Sequence, residues 1–227
     1  DTSYVLSATN SVSLQGASAA VTFTGAGTTR LFGSVDGAGG VTKTGSGTAE
    51  LRQACGFTGD VTVASGTLRV FTPTVGNGAN RVLLTGGTFG FDASVSAASV
   101  SLVSGTGGTL DAPLGQTLGV GTLSGTLTAS GGGQVTVSNV TADAKITWAG
   151  TGTLTVSNVA AGASITVSGS GKLALSQAVP GVKISLAGAG CSLALPTGIR
   201  LDEVEVAENA SAAVSGAGAI DRLLGKG

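Results

Sequence analysis

The 227-residue chain contains no histidine, which removes Ser-His-Asp and Cys-His nucleophiles and most catalytic zinc sites. Chemistry must then come from carboxylates or thiols. Asp92 and Asp111 are separated by the same interval as Gly131 and Gly150, which is one repeat unit further along the chain. Stacked in adjacent units, two like charges about 5 Å apart would raise one pKa or recruit a cation. That arrangement suits the general acid and base of a polysaccharide-degrading enzyme. The competing reading is two solvated turn residues in different registers, with no Lys or Arg obviously posted beside them. Glu203 and Glu205 flank Val204 in "LDEVEVAEN", residues 201–209, and read as outward charges that discourage edge pairing on a late strand; calcium binding is the alternative.

Cys55 and Cys191 are too few for a disulfide scaffold. About seven repeat units separate them, beyond the reach of a disulfide. Each reads as a free buried thiol, with pairing between molecules as the alternative. "SGSGK", residues 168–172, lacks the first Gly and the final Ser or Thr of a phosphate loop, and no calcium-binding nonapeptide run is present. No catalytic residue, cofactor or metal site is therefore assigned.

These residues must be positioned by a repeating framework. Gly131, Gly150, Gly169 and Gly188 recur at one constant interval, on the scale of a solenoid repeat. In register with them run the apolar pairs Val135/Val137, Leu154/Val156, Leu173/Leu175 and Leu193/Leu195. A second set reads Ile146/Trp148, Ile165/Val167, Ile184/Leu186 and Val204/Val206. Apolar residues at every second position are strand geometry, so each unit supplies two short strands, with Gly placed at corners that need positive φ. Asn139, Asn158 and Gln177 share one column, where stacked amides can form a ladder. One such unit cannot bury its apolar face alone, and stacking makes it stable.

The expected fold is all-β: a parallel β-solenoid (β-helix) with coils of about 19–21 residues, forming one domain over 1–227. Its repeats are looser over 16–130 and regular over 131–207, with an expected C-terminal cap over 208–227. The looser units show Ala49/Leu51, Val61/Val63, Leu68/Val70, Val82/Leu84, Phe89/Phe91 and Val100/Leu102. Between Thr106 and Ser130 the sequence allows either one unit plus a partial one or a bulging coil. At ~4.8 Å per coil, about 11 coils make a rod ~50 Å long.

Composition narrows the function classes. Gly accounts for 40 residues and charged residues for 10%, against about 25% charged in average domains. With a net charge of −1 and no basic cluster, a nucleic-acid partner is not expected. No run reaches the ~20 apolar residues of a membrane-spanning helix, and six Phe, one Tyr and one Trp are few for the girdles of a membrane barrel. Starting at Asp1 without Met, the chain reads as processed or excised.

"GGVTKTGSGTAEL", residues 39–51, and "FTGDVTVASGTLRV", residues 57–70, resemble the passenger-associated repeat of bacterial autotransporters. Gly40, Thr42, Lys43, Gly45, Gly47, Thr48, Leu51, Thr58, Gly59, Val63, Gly66, Thr67 and Leu68 carry the match; Ala49 and Glu50 depart from it. The resemblance implies a right-handed β-helix at the bacterial surface or outside the cell, often an adhesin or a scaffold for one; it does not imply enzymatic activity. No C-terminal translocator barrel is recognisable, so a passenger piece or a relative exported by another route is expected. The expected role is a non-enzymatic structural or adhesive rod with a cell-surface or carbohydrate ligand. It would self-associate end to end if "TSYVLSATNSVSL" and "AIDRLLGKG" fail to cap it. Thr22/Thr24, Thr42/Thr44, Thr126/Thr128 and Thr153/Thr155 have the spacing of ice-binding ladders, with intervening coils expected to break the array.

Overall fold

The structure, a computed structural model, describes residues 4–6, 11–178 and 180–225. Among them there is no helix, and none therefore long and apolar enough to cross a membrane. Every strand pairing is parallel, and one sheet of 21 strands winds through nearly the whole chain. The chain is a β-solenoid of about 11 coils.

Register confirms the central column. Val137 lies on Val156 and Val156 on Leu175; Leu195 follows in the same row, since Ala174 pairs with Ala194. All four are at most 1% exposed. Burial of such branched side chains at about 25 cal/mol per Å² drives the coils together.

Each coil has three faces rather than the two expected. The strand Gln134–Val140 buries Val135, Val137 and Val140 but leaves Ser138 and Asn139 both outward. Two successive outward residues break the alternation, so the strand turns a corner without ending. Asn139, Asn158 and Gln177 do share a column on the short second face. There the Asn158 amide donates to the Asn139 carbonyl oxygen at 3.2 Å and to Ser138 O at 3.0 Å. The same corner overturns one expected inner pair: Val100 is buried with Val103, while Leu102 is only half-buried, because Leu102 registers with Thr122, ahead of Asn139.

Coil length varies more widely than the repeat spacing predicts. Thr117 pairs with Gln134, closing a short coil, whereas Tyr4 pairs with Thr29, closing a long one; the corners take up the difference. Residues 106–130 hold the bulging coil: Ala97–Asp111 and Thr117–Ser130 run through their corners as continuous strands, with a register shift between Thr106 and Thr109. The corner between second and third faces needs a left-handed residue, which is Asp143, Gly162 and Gly181 in successive coils. Of the repeating glycines, only Gly131 has positive φ. Gly150, Gly169 and Gly188 are required instead because the neighbouring corner's backbone lies where a Cβ would stand.

The described residues of both expected caps continue the winding as strands. Tyr4–Leu6 lies on Thr29–Leu31 and Val12–Leu14 on Val35–Gly37, while Ser211–Ser215 and Ala219–Gly225 add further strands at the other end. Residues 2–3, 7–10 and 226–227 of the two caps lie outside the described residues.

Candidate functional site

The coil holding Asp92 is longer than the spacing of the two carboxylates. Thr88 pairs with Thr109 and Gly90 with Asp111, so Asp111 misses Asp92 by two positions and the proposed acid–base stack does not form. Asp92 instead accepts from the Ser94 amide at 3.0 Å and its hydroxyl at 2.7 Å, with Arg69 at 3.9 Å. Partial burial pushes this carboxyl up, but the Ser94 bonds, then Arg69 and Arg52, outweigh it and hold the group below the usual carboxylate range. A general acid needs the opposite shift. Asp111 accepts from the Ser130 hydroxyl at 2.9 Å.

Around Asp92 the outer surface carries two adjacent columns that sequence spacing did not bring together. The first runs Arg30, Glu50, Arg69, Gly90, Asp111, Ser130. The second, one corner residue beyond, holds Phe32, Arg52, Phe71 and Asp92. Arg52 lies between the two rings, 5.4 Å from the Phe32 centroid and 4.2 Å from that of Phe71. Glu50 joins both rows, 3.1 Å from Arg30 and 2.6 Å from Arg52. The signal was the recurrence of Arg30, Glu50 and Arg69 at one-coil intervals. Arg52→Ala is expected to cost about 1–2 kcal/mol, since cation–π and half-exposed ion pairs are each worth up to about 1 kcal/mol. Urea melts at low and high salt measure it, and the smaller part of the loss should vanish in salt.

The expected threonine pairs are interrupted as foreseen, Thr62 meeting Leu83, Thr126 meeting Lys145 and Thr153 meeting Lys172, but a different column of threonines is continuous. Thr28, Thr48, Thr67, Thr88, Thr109, Thr128, Thr147 and Thr166 register without interruption, followed by Ser185 and Glu205. Hydroxyls thus recur every ~4.8 Å along the rod. The row is one residue wide, bordered by the charged column over the first coils. On its other side, in the later coils, stand Lys145, Ser164 and Lys183. A shallow groove opens there, lined by Ser164, Thr166, Lys183, Ser185, Glu203 and Glu205. Glu203 and Glu205 do not guard an edge, because Ala219–Gly225 covers their strand and Arg222 pairs with Glu203.

The remaining reactive groups are turned inward. Cys191 is buried, but Cys55 is only half-buried, correcting the expectation for that residue. The Cys55 thiol donates to Gln53 O at 3.4 Å. Burial raises its pKa, and nearby Asp36 raises it further against an opposing Val35 backbone hydrogen bond, so the nucleophilic thiolate is disfavoured. Lys43 is the unforeseen core residue, 1% exposed, stacked between Phe23 and Val63. Its ammonium donates to the carbonyls of Gly45 and, at 3.5 Å, Ser65. No carboxylate pairs with it among the described residues, and burial lowers its pKa. Period-two placement beside Val41, matching Val61/Val63, was the available signal. Among the described residues no three metal-ligating side chains converge. No protein-family model, curated protein or solved structure matches the chain.

Proposed function

We propose that this chain is a non-enzymatic structural and adhesive rod, displayed outside the cell or on a bacterial surface in the manner of an autotransporter passenger. The observation that carries the reading is the uninterrupted outer column from Thr28 to Ser185. It offers a regular, extended row of hydroxyls rather than a cleft with opposed acid and base. An extended row of this kind suits contact with a polymer or a surface. The resemblance over Gly40–Leu68 supports the location. Incubation with a panel of acidic and neutral polysaccharides tests it: retention of a polymer without new reducing ends is expected. Depolymerisation by the folded protein would refute the non-enzymatic reading, and cell fractionation that leaves the natural product in the cytoplasm would refute the location.

The unbroken threonine row also favours a second reading, binding to ice or a mineral surface. Its width of one residue argues against the flat double rank such surfaces engage. Thermal hysteresis close to that of an inert protein at equal concentration is the expected result.

A further inference from the structure

The corner that follows Thr74 carries a reactive pair that none of the outer columns uses. Asn77 precedes Gly78, the one Asn–Gly pair in the chain, and Asn77 is exposed. Its carboxamide folds back over the following peptide, with Oδ1 accepting from the Ala79 amide at 3.0 Å, a turn geometry that asparagine favours. The nitrogen lying between them on the chain is that of Gly78, at φ +85°. No side chain shields it, and around its missing Cβ the nearest atoms belong to Thr74, at 3.6 Å and beyond. A single bond to Val75 O, at 3.0 Å, holds its hydrogen.

We propose that Asn77 is a site of self-modification by the main chain, converting to aspartate and to its β-linked isomer with release of ammonia. Once hydroxide takes the Gly78 amide proton, that nitrogen attacks Asn77 Cγ, and the new C–N bond closes an imide ring. Charge develops on Oδ1, where the Ala79 N–H already stands as a donor. The Cγ–Nδ2 bond then breaks, and Nδ2 leaves as ammonia after taking a proton from water. A water molecule next opens the ring. Addition at Cγ gives aspartate; addition at the Asn77 main-chain carbonyl gives the β-linked form. Either way the Gly78 nitrogen is released from one carbon and recovers its proton, so water is the only co-reactant.

The other described asparagines lack this set. Asn80 is 2% exposed, and its Nδ2 donates to Phe57 O at 3.0 Å and Gly59 O at 2.7 Å. Asn139 and Asn158 precede Val140 and Val159, whose branched side chains crowd the attacking nitrogen. Asn209 precedes Ala210. The consequence of conversion is electrostatic. Gly78 borders a shallow groove with Ser99, Ser101, Thr136 and Ser138 whose lining holds no charged residue, so the product sets a carboxylate at its edge. The β-linked form also lengthens the main chain by one carbon close to the anchored Asn80.

Peptide mapping by mass spectrometry, after incubation of residues 1–227 at neutral and mildly alkaline pH, tests the proposal. The Asn77 peptide should gain one mass unit and separate into two chromatographic forms, the β-linked one accepting a methyl group from an isoaspartyl methyltransferase. Peptides holding Asn139, Asn158 and Asn209 should stay unchanged over the same time, with the β circular-dichroism spectrum retained. Gly78→Ala should slow the gain severalfold. Asn77→Asp, which needs no conversion and keeps an acceptor for the Ala79 amide, should comigrate with the normally linked form and gain nothing at that peptide. The proposal is overturned if Asn77 stays intact in the folded protein while the same chain converts in urea, or if the gain is shared equally among the asparagines.

Discussion

Gly131→Ala is expected to destabilise the solenoid by about 3–5 kcal/mol, combining a backbone conformation costly for an L side chain with severe overpacking. Gly131 has φ +107°, and a Cβ there would lie 2.6 Å from the carbonyl carbon of Ala112, closer still to its oxygen. Relief would require lifting the coil off its neighbour, which breaks the hydrogen bond from the Thr151 amide to Gly131 O or that from Gly133 to Ala112 O. Gly115→Ala separates the two causes. Its φ is +83°, but nothing lies within 4 Å of the added carbon, so only the conformational cost of about 1 kcal/mol should appear. Guanidinium midpoints of the two variants decide the matter; equal losses would show that crowding between coils contributes nothing.

Lys43→Glu is the second large expected effect, about 3–5 kcal/mol, because a buried carboxylate facing carbonyl oxygens has neither charge partner nor donor. Lys43→Met keeps an unbranched chain of similar length and isolates the amine. It should stay within about 1 kcal/mol of wild type at neutral pH, since losing hydrogen bonds to two carbonyls and removing a buried charge oppose each other. The pH dependence is more diagnostic. The folded state holds the Lys43 pKa below 10.5, so between the folded and unfolded values it binds fewer protons than the unfolded chain. The penalty is fully present below the folded pKa. Stability attributable to Lys43 must rise with pH through that window and level off above 10.5, as proton linkage requires. Denaturant titrations from neutral to strongly alkaline pH should show this rise in wild type and lack it in Lys43→Met. Parallel curves would mean that Lys43 is not buried as a titrating amine.

The inner columns were legible because every coil repeats the same requirement, an apolar side chain at alternate positions, so Val137, Val156 and Leu175 announce one another. Outer columns obey no such requirement. Their membership depends on coil length, which the corners set through backbone hydrogen bonds and left-handed residues such as Asp143. This is why the interval of the later glycines wrongly joined Asp92 to Asp111, where the local coil is longer and brings Gly90 onto Asp111 instead. For the same reason the continuous threonine row escaped notice, since its members change spacing from one coil to the next. Leu102 misled for a related cause: a strand that bends without ending shifts its alternation by one, and no Gly or Pro marks the bend. The Arg52 sandwich needed both facts together, the lengths of successive coils and a corner that aims Phe32 and Phe71 the same way.

The direction of the ladder hydrogen bonds has a mechanical consequence. Because each coil is bonded only to the coil on either side, tension applied between the two ends loads those bonds along their own length, one layer at a time. Each layer that peels away releases roughly 20 residues and lengthens the tether by about 60–70 Å. Pulled in an optical trap, the molecule should yield as a staircase of small, nearly equal steps instead of one abrupt rupture. The widest steps should come from the long turn that leaves Tyr4 and closes only at Thr29.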